Sequence, residues 1–156
     1  MPEQTKVVLD AKTQVHIRSA QASDGARLVS LCDQLGYPVT LEQIVTRVAR
    51  IDQDPTRVLF VSVDESDRAC GFIDLDHRVI AVCDYAVEIC GLVTDESVRG
   101  QGHGAALVRH AEEWARGRGA TEVSVRSNVV RKEAHGFYQR RGYEIFKQSY
   151  AFKKKI

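Results

Sequence analysis

Several features are missing from this sequence, and each absence excludes a class of protein. It has no run of 18 apolar residues, and its first 14 residues contain no apolar segment long enough for a signal peptide. The four cysteines lie far apart without a CxxC pair, and together with the five histidines they show no metal-ligand spacing. We therefore expect a soluble, cytoplasmic protein with free thiols and no bound metal.

The sequence also lacks an excess of charge of either sign. Its 22 Lys and Arg residues balance 21 Asp and Glu residues. Three lysines at residues 153–155 are typical of a solvated tail, because no aromatic residues stand among them as a nucleic-acid platform would require. We expect no nucleic-acid or membrane partner, so an anionic ligand needs a local site.

What is present indicates one compact domain. The chain has 156 residues, of which 44% are apolar, and it contains no internal repeat or linker-like segment. Residues 1–14 are polar and lack periodicity, which predicts a flexible N-terminal tail. The ordered domain is then predicted over residues 15–156.

The hydrophobic pattern predicts a mixed α/β (α+β) fold around one sheet. The predicted order is a strand, two helices, three strands, a helix, a strand, a helix and two strands, which gives about seven strands and four helices. Ser23 is predicted to cap the first of these helices, and Thr40 with Gln43 forms a capping-box pattern at the second. The alternating segments 143–146 and 148–152 are predicted to form a final hairpin.

A glycine-rich turn joins the strand that ends at Val93 to a helix. Its sequence is Arg99-Gly100-Gln101-Gly102-His103-Gly104. Glycines allow close approach of the backbone and positive φ, and the N–H groups that begin a helix bind anions. Glycine clusters also form ordinary turns, however, and this one lacks both the spacing of a dinucleotide fingerprint and the GK[ST] of a P-loop.

The segments on either side of this turn indicate more specifically what it binds. Arg99, Gly102 and Gly104 match the Q/R-x-x-G-x-G/A cofactor motif of the GNAT superfamily of N-acetyltransferases, which the chain resembles over residues 15–154. The segment GLVTD at 91–95 is similar to the family's bulged fourth strand, and Asn128 with AHGFY at 134–138 is similar to a later motif. The resemblance implies a GNAT-like domain with a mixed, mostly antiparallel central sheet. It also implies transfer of an acetyl group from acetyl-CoA to a primary amine within a ternary complex.

The resemblance also implies which residues bind coenzyme A. The backbones of Leu92 and Val93 would contact the pantetheine arm. The pyrophosphate would be bound by the turn, through Arg99, Gly100, Gln101, Gly102, His103, Gly104 and Ala105. Asn128 would bind the cofactor arm or Tyr138, although an Asn there is equally typical of a turn. The variable position of the motif, His103, is expected to face solvent.

Two side chains are candidates for proton transfer. By resemblance, Tyr138 protonates the departing thiolate; the alternative is that it only packs. Glu88 is the candidate general base, because period-two counting places it on the same strand face as Cys90 and Leu92. The alternative for Glu88 is a structural ion pair with an arginine. The family's best-known glutamate would fall nearer Ala86, so the sequence departs from the family pattern here.

Two other functions remain open at this point. If Glu88 and Tyr138 are structural, the chain would be a non-catalytic acyl-CoA-binding or regulatory module. A strand edge near the C-terminus could pair two copies into a homodimer. The sequence carries no recognisable code for the acceptor, which could be a small-molecule amine or a protein amine.

Overall fold

The computed structural model describes residues 8–9 and 15–156, so most of the predicted N-terminal tail lies outside the described residues. The chain divides into two compact units, one ending at Val125 and one beginning at Arg126. The single domain predicted over 15–156 stays a prediction.

One sheet forms the centre of the first unit. Its members follow chain order: β1 (Val8–Leu9), β2 (His16–Ser19), β3 (Arg57–Val63), β4 (Ala69–Ile80), β5 (Cys83–Thr94) and β6 (Glu122–Val125). All neighbours are antiparallel except β5 and β6, which are parallel. Because β1 is only a two-residue pairing, the sheet has five strands of appreciable length. The mostly antiparallel sheet is confirmed, and the expected number of about seven strands is wrong.

Four helices accompany the strands, as predicted. They are α1 (Gly25–Leu35), α2 (Leu41–Asp52) and α3 (His103–Gly117) in the first unit and α4 (Lys132–Gln139) in the second. The capping box of α2 is confirmed: the Gln43 N–H donates to Thr40 Oγ1 at 3.2 Å, and the Thr40 N–H donates to Gln43 Oε1 at 3.0 Å. None of the described helices is long and apolar enough to cross a membrane.

The predicted cap at Ser23 is wrong. A 3-10 turn over Ala22–Asp24 precedes α1, and Asp24 occupies the cap position. The buried Asp24 carboxylate accepts from the Arg18 guanidinium at 2.8 and 2.9 Å and from the Gln21 N–H at 2.8 Å. The sequence pattern missed this because the partner Arg18 lies on a strand and pairs only in the folded chain.

The two faces of the sheet carry different helices. On one, the helix-pair face, α1 and α2 pack on Leu59, Val61, Phe72 and Val93. On the other, the α3 face, the Phe60 ring meets the His110 ring with centroids 4.4 Å apart, and Leu107 of α3 is fully buried. These two layers bury the core on both sides of β3 and β4.

A β-bulge interrupts β5 where the sequence resembled a bulged strand. Asp74 of β4 lies opposite Gly91, but Leu75 lies opposite Ile89, so Cys90 is the extra residue. The parallel pairing with β6 ends at Ile89 opposite Val125. Beyond the bulge, the outer edge of β5 is therefore not paired by β6, and its backbone groups can face a ligand.

The second unit contains α4 followed by residues without helix or strand assignment. The predicted hairpin over 143–146 and 148–152 is wrong, and its large apolar side chains are exposed: Ile145, Phe146, Tyr150 and Phe152. Alternation shows which residues share a face, but it supplies no partner strand. No strand is described between 126 and 156 with which these segments could pair.

Candidate active site

The glycine turn has the backbone geometry that its glycines allow. After a 3-10 turn over Glu96–Val98, Gly100 has φ +79° and Gly102, which caps α3, has φ +90°. The Gln101 N–H donates to the Val98 carbonyl at 3.2 Å, which closes the turn. Both glycines lie in the left-handed region, where a side chain is disfavoured.

Several backbone N–H groups at this turn have no backbone hydrogen-bond acceptor in the described chain. The first N–H of α3 with a backbone acceptor belongs to Ala106, which donates to the Gly102 carbonyl at 2.9 Å. Within the described chain, the N–H groups of His103, Gly104 and Ala105 have no backbone acceptor. The same end of the 15-residue helix carries the positive end of its dipole. Such a cradle fits a pyrophosphate.

The rest of the turn is open towards solvent. Arg99 and Gln101 are exposed, and among the described residues the Arg99 guanidinium has neither a hydrogen bond nor an ion pair. A Cβ added to Gly100 would have no atom within 4 Å, so the backbone is accessible from the side where a side chain would lie. Arg99 can therefore add a positive charge to an anion at the turn.

A buried aspartate stabilises the segment between β5 and the glycine turn. Asp95 Oδ1 accepts from the Ser97 N–H at 3.0 Å and the Ser97 hydroxyl at 2.8 Å, while Oδ2 pairs with the Arg27 guanidinium of α1. These bonds, led by the one from the Ser97 N–H, hold the pKa of Asp95 well below its usual range. The sequence analysis did not assign this role to Asp95, although an Asp two residues before a Ser after a strand signals such a turn.

His103 does not face solvent as predicted. It is 8% exposed, and its Nδ1 has no hydrogen-bond partner among the described residues. Burial lowers the pKa of His103, so the imidazole is neutral at pH 7. The imidazole is therefore packed in the interior, and of His103 only the backbone N–H is available to an anion.

The segment of β5 beyond the bulge lies close to β4. Val93 is buried on the helix-pair face, while Leu92 lies opposite Ile73 and is half-buried. A Cβ on Gly71 of β4 would come within 2.8 Å of the Val93 carbonyl oxygen. The absence of a side chain at Gly71 thus allows the backbone of Leu92 and Val93 to take this position.

The bulge changes the face on which Glu88 lies. Glu88 is opposite Asp76 and Val93 is opposite Phe72, so both share the helix-pair face. Leu92 shares a face with Ile73 instead. The expectation that Glu88 and Leu92 share a face is wrong, because the extra residue Cys90 shifts the alternation by one position.

A charged cluster surrounds Glu88, consisting of Arg57, Asp74, Asp76, Arg78 and Glu88. Arg78 Nε donates to Asp76 Oδ2 at 2.9 Å, and Arg78 Nη1 lies 3.2 Å from Glu88 Oε2. Arg57 Nη2 donates to both Asp74 oxygens at 2.7 and 2.9 Å. Burial raises the pKa of Asp74 in spite of this pair. Glu88 thus has the arginine partner that its structural interpretation required.

Cys90, at the bulge, borders this cluster. Desolvation of its thiol, followed by the nearby charges of Asp74 and Glu88, raises the pKa of Cys90 to about 11. The thiol is therefore protonated at pH 7 and is a poor nucleophile.

The two remaining candidates lie in the second unit. Tyr138 of α4 packs against Phe137 and Tyr143, with ring centroids 5.2 and 5.5 Å away, and burial raises its pKa to about 12. Asn128 is exposed, and its Oδ1 accepts from the Val130 N–H at 3.1 Å. This bond is the turn role that the sequence left open, so cofactor binding by Asn128 stays a prediction.

The charged residues do not form a metal centre. Among residues 8–9 and 15–156, no group of three His, Cys, Asp or Glu side chains is placed to hold a metal ion. The carboxylates near Glu88 are instead interleaved with arginines.

Comparison with known proteins gives a consistent family. Residues 28–143 match the model of the acetyltransferase (GNAT) family. The chain is 28% identical to the aminoglycoside N(6')-acetyltransferase type 1 of Klebsiella aerogenes, covering 90% of this chain and 96% of that protein. It is 41% identical over 69 residues to an uncharacterized N-acetyltransferase of Bacillus subtilis, YhdJ, a match covering 44% of this chain and 47% of that protein.

A solved structure shows the same fold. It is AAC(6')-Iy in complex with the bisubstrate analog CoA-S-monomethyl-acetylneamine. The TM-score is 0.78 at 19% identity, and the match covers 91% of this chain and 99% of that one.

Proposed function

The chain belongs to the acetyltransferase (GNAT) family, and we propose that it transfers the acetyl group of acetyl-CoA directly to a primary amine within a ternary complex. The observation that carries this proposal is the turn over 99–105, with its unbonded N–H groups at the start of α3 directly after the bulged strand β5. That arrangement offers one site for a pyrophosphate and another for an amide-containing arm. Acetyl-CoA contains both groups and is the co-substrate of the family.

The cofactor end would be bound mainly by backbone. The N–H groups of His103, Gly104 and Ala105, with the exposed Arg99 and the turn residues Gly100, Gln101 and Gly102, would bind the pyrophosphate. Leu92 and Val93, beyond the bulge, would bond the pantetheine arm. Acetyl-CoA supplies an activated thioester carbonyl, so the protein has to provide position and proton transfer. Position in a reactive geometry is worth about 7 to 11 kcal/mol.

Glu88 is the proposed general base. A lysine-like amine with a pKa of about 10.4 costs about 4.6 kcal/mol to deprotonate at pH 7. The Glu88 side chain is 14% exposed and lies two residues before the bulge at Cys90. As the new C–N bond forms, Glu88, directly or through a water molecule, would accept the proton that the nitrogen loses. A placed base contributes roughly 10² to 10⁴ in rate.

Tyr138 is the proposed general acid. The C–S bond breaks as the acetyl group leaves, and the departing sulfur requires a proton. Because burial raises the pKa of Tyr138 to about 12, the phenol keeps its proton throughout the neutral range and can donate it. Two features therefore favour Tyr138: this protonation state and the resemblance of its motif to that of the family.

The proposed acceptor is a primary amine on a small polar molecule, with aminoglycosides as the first class to test. The support is the Klebsiella relative, which is named for that activity and is matched over 96% of its length. The cluster beside Glu88 contributes three carboxylates and two arginines, so its formal charge of −1 is compatible with a cationic acceptor.

An acceptor screen tests this function. The protein is mixed with acetyl-CoA and, separately, with aminoglycosides, amino acids, polyamines or lysine peptides, and free thiol is followed. We expect release above the no-amine rate for at least one class, and loss of this release in Glu88→Gln. If all amines are silent while acetyl-CoA binds, the chain is a non-catalytic acyl-CoA-binding module and the proposal is wrong.

A further inference from the structure

The contacts around Glu88 assign a role to an arginine that the family motif does not contain. We propose that Arg78 is a positioning residue that holds the Glu88 carboxylate in a fixed orientation, and that Asp76 anchors Arg78 for this purpose. The inference rests on the proposed role of Glu88 as general base.

The register of β4 and β5 makes this contact possible. Asp76 lies directly opposite Glu88, and Arg78 lies directly opposite Ala86. Because Ala86 is small, the Arg78 side chain can cross over it to the diagonal neighbour Glu88. The family's best-known glutamate would fall near Ala86. In this chain the small Ala86 leaves room for the Arg78 side chain and supplies no carboxylate.

A single guanidinium joins the two carboxylates. Its Nε donates to Asp76 at 2.9 Å and its Nη1 lies 3.2 Å from Glu88. Asp76 and Glu88 are 20% and 14% exposed, while Arg78 is 40% exposed. The two acceptors are thus better shielded from water than the donor, and without the shared cation two like charges would face each other across the strands.

The electrostatic surroundings support the same assignment. The hydrogen bond to Asp76 and the charge of Glu88 raise the pKa of Arg78. Cys90 of β5 interacts electrostatically with the charged groups of the cluster, and Glu122 of β6 lies opposite Ala86. Arg57 donates two hydrogen bonds to Asp74, while Arg78 contacts Glu88.

In the proposed reaction Arg78 exchanges no proton. Glu88 takes the proton that the amine loses as the C–N bond forms, and Tyr138 gives its proton to the sulfur as the C–S bond breaks. Arg78 only fixes the orientation of the Glu88 carboxylate. Its removal should therefore lower kcat and leave acetyl-CoA binding nearly unchanged.

The test compares Arg78→Met, Arg78→Lys and Asp76→Asn with the unmodified protein. The first readout is the NMR signal of the Glu88 carboxyl in glutamate-labelled protein at pH 7; Glu88→Gln identifies the signal, and no acceptor is needed. In Arg78→Met we expect this signal to shift and broaden, because the guanidinium no longer holds the side chain. Arg78→Lys should keep most of the wild-type signal because it keeps a charged donor, and Asp76→Asn should behave as a weaker Arg78→Met. An unchanged signal in Arg78→Met overturns the inference.

Steady-state kinetics with acetyl-CoA and neamine provide the second readout. Arg78→Met should lower kcat about 10-fold, with the KM for acetyl-CoA changed less than about twofold, and Arg78→Lys should restore part of the lost kcat. In a Glu88→Gln background, the same substitution should cost less than about twofold. Arg116→Gln, which removes only an exposed pair on α3, is the matched control.

The outcomes separate this inference from the proposed function. If Glu88→Gln is inactive but Arg78→Met keeps the wild-type kcat, the positioning role is wrong and the base assignment stands. If Glu88→Gln is fully active, the base assignment is wrong and this inference falls with it. If neamine is not acetylated, the proposed acceptor is wrong, and the NMR comparison still decides the role of Arg78.

Discussion

Tyr138 shows how partial burial sets the chemistry of one side chain. Its ring packs against Phe137 and Tyr143, and the loss of water raises the pKa of the phenol to about 12. The phenol therefore keeps its proton at neutral pH, as the proposed acid role requires. The sequence predicted the position from its motif but not the protonation state, which depends on packing.

Removing that proton should slow the reaction without weakening cofactor binding. We expect Tyr138→Phe to lower kcat by roughly 10- to 100-fold and to leave the KM for acetyl-CoA within about twofold. Steady-state thiol release measures both constants. Tyr150→Phe, at an exposed position in the same unit, is the matched control. Full activity in Tyr138→Phe would rule out the acid role.

The buried His103 makes the stability of the protein depend on pH. Burial lowers its pKa below the ordinary value of 6.5, and the same holds for His110 against Phe60. The unfolded chain therefore binds more protons below about pH 6.5, so the free energy of unfolding falls as pH drops from there towards the lower folded pKa values.

We expect His103→Gln to flatten this pH dependence. Between about pH 6.5 and 5.5, the variant should lose less stability than the unmodified protein, by on the order of 1 kcal/mol. Urea unfolding at several pH values measures the effect, and His16→Gln is the control. Equal slopes for His103→Gln and the unmodified protein would show that His103 is not held neutral.

At the level of single residues, the sequence was informative only where the relevant contact is local. The Thr40 and Gln43 capping box is local and was predicted correctly. Three other features depend on residues that meet only in the folded chain, and no local pattern predicts them. They are the pairing of Asp24 with Arg18, the burial of His103 and the contact of Arg78 with Glu88.

Among the elements, β5 and the start of α3 carry most of the proposed site. The apolar pattern and the glycines predicted both elements, and the resemblance of residues 91–95 to the family implied the bulge. The consequence of the bulge was missed: one extra residue, Cys90, places Glu88 and Leu92 on opposite faces. Strict period-two counting fails across such a residue.

The turn before α3 depends on a backbone conformation that only glycine adopts without cost. Gly102 has φ +90° at the helix cap. We expect Gly102→Ala to destabilise the protein by about 1 to 2 kcal/mol and to raise the KM for acetyl-CoA, because the N–H groups of the turn would move. Urea unfolding and thiol-release kinetics measure the two effects.

The same substitution at the other end of α3 provides the control. Gly117 lies inside the helix, and a Cβ there would meet no atom within 4 Å. Gly117→Ala should therefore be neutral or stabilise by about 0.5 to 1 kcal/mol, with unchanged kinetics. If Gly102→Ala behaves like Gly117→Ala, the turn does not depend on its left-handed cap.

At the scale of the whole molecule, the balanced charge means that an anionic ligand needs a local binding site. With 22 basic and 21 acidic residues, the chain has no general attraction for polyanions. In the proposed function, the backbone of the glycine turn and Arg99 recognise coenzyme A instead. The class of fold followed from hydrophobic periodicity. The number of strands did not, because residues 143–152 alternate without a described partner strand.

The oligomeric state stays a prediction at this scale. The dimer was expected from a strand edge near the C-terminus, but the last described strand is β6, which ends at Val125. Light scattering of the purified chain decides between one copy and two.

The most direct test of the account follows the acetyl group itself. The protein is incubated with acetyl-CoA labelled with ¹³C in the acetyl group and with neamine, and the products are identified by mass spectrometry. The account predicts one labelled acetyl group on an amine nitrogen of neamine, together with an equal amount of free coenzyme A. Label found only in acetyl-CoA and free acetate, with neamine and every other amine of the screen unmodified, would contradict it.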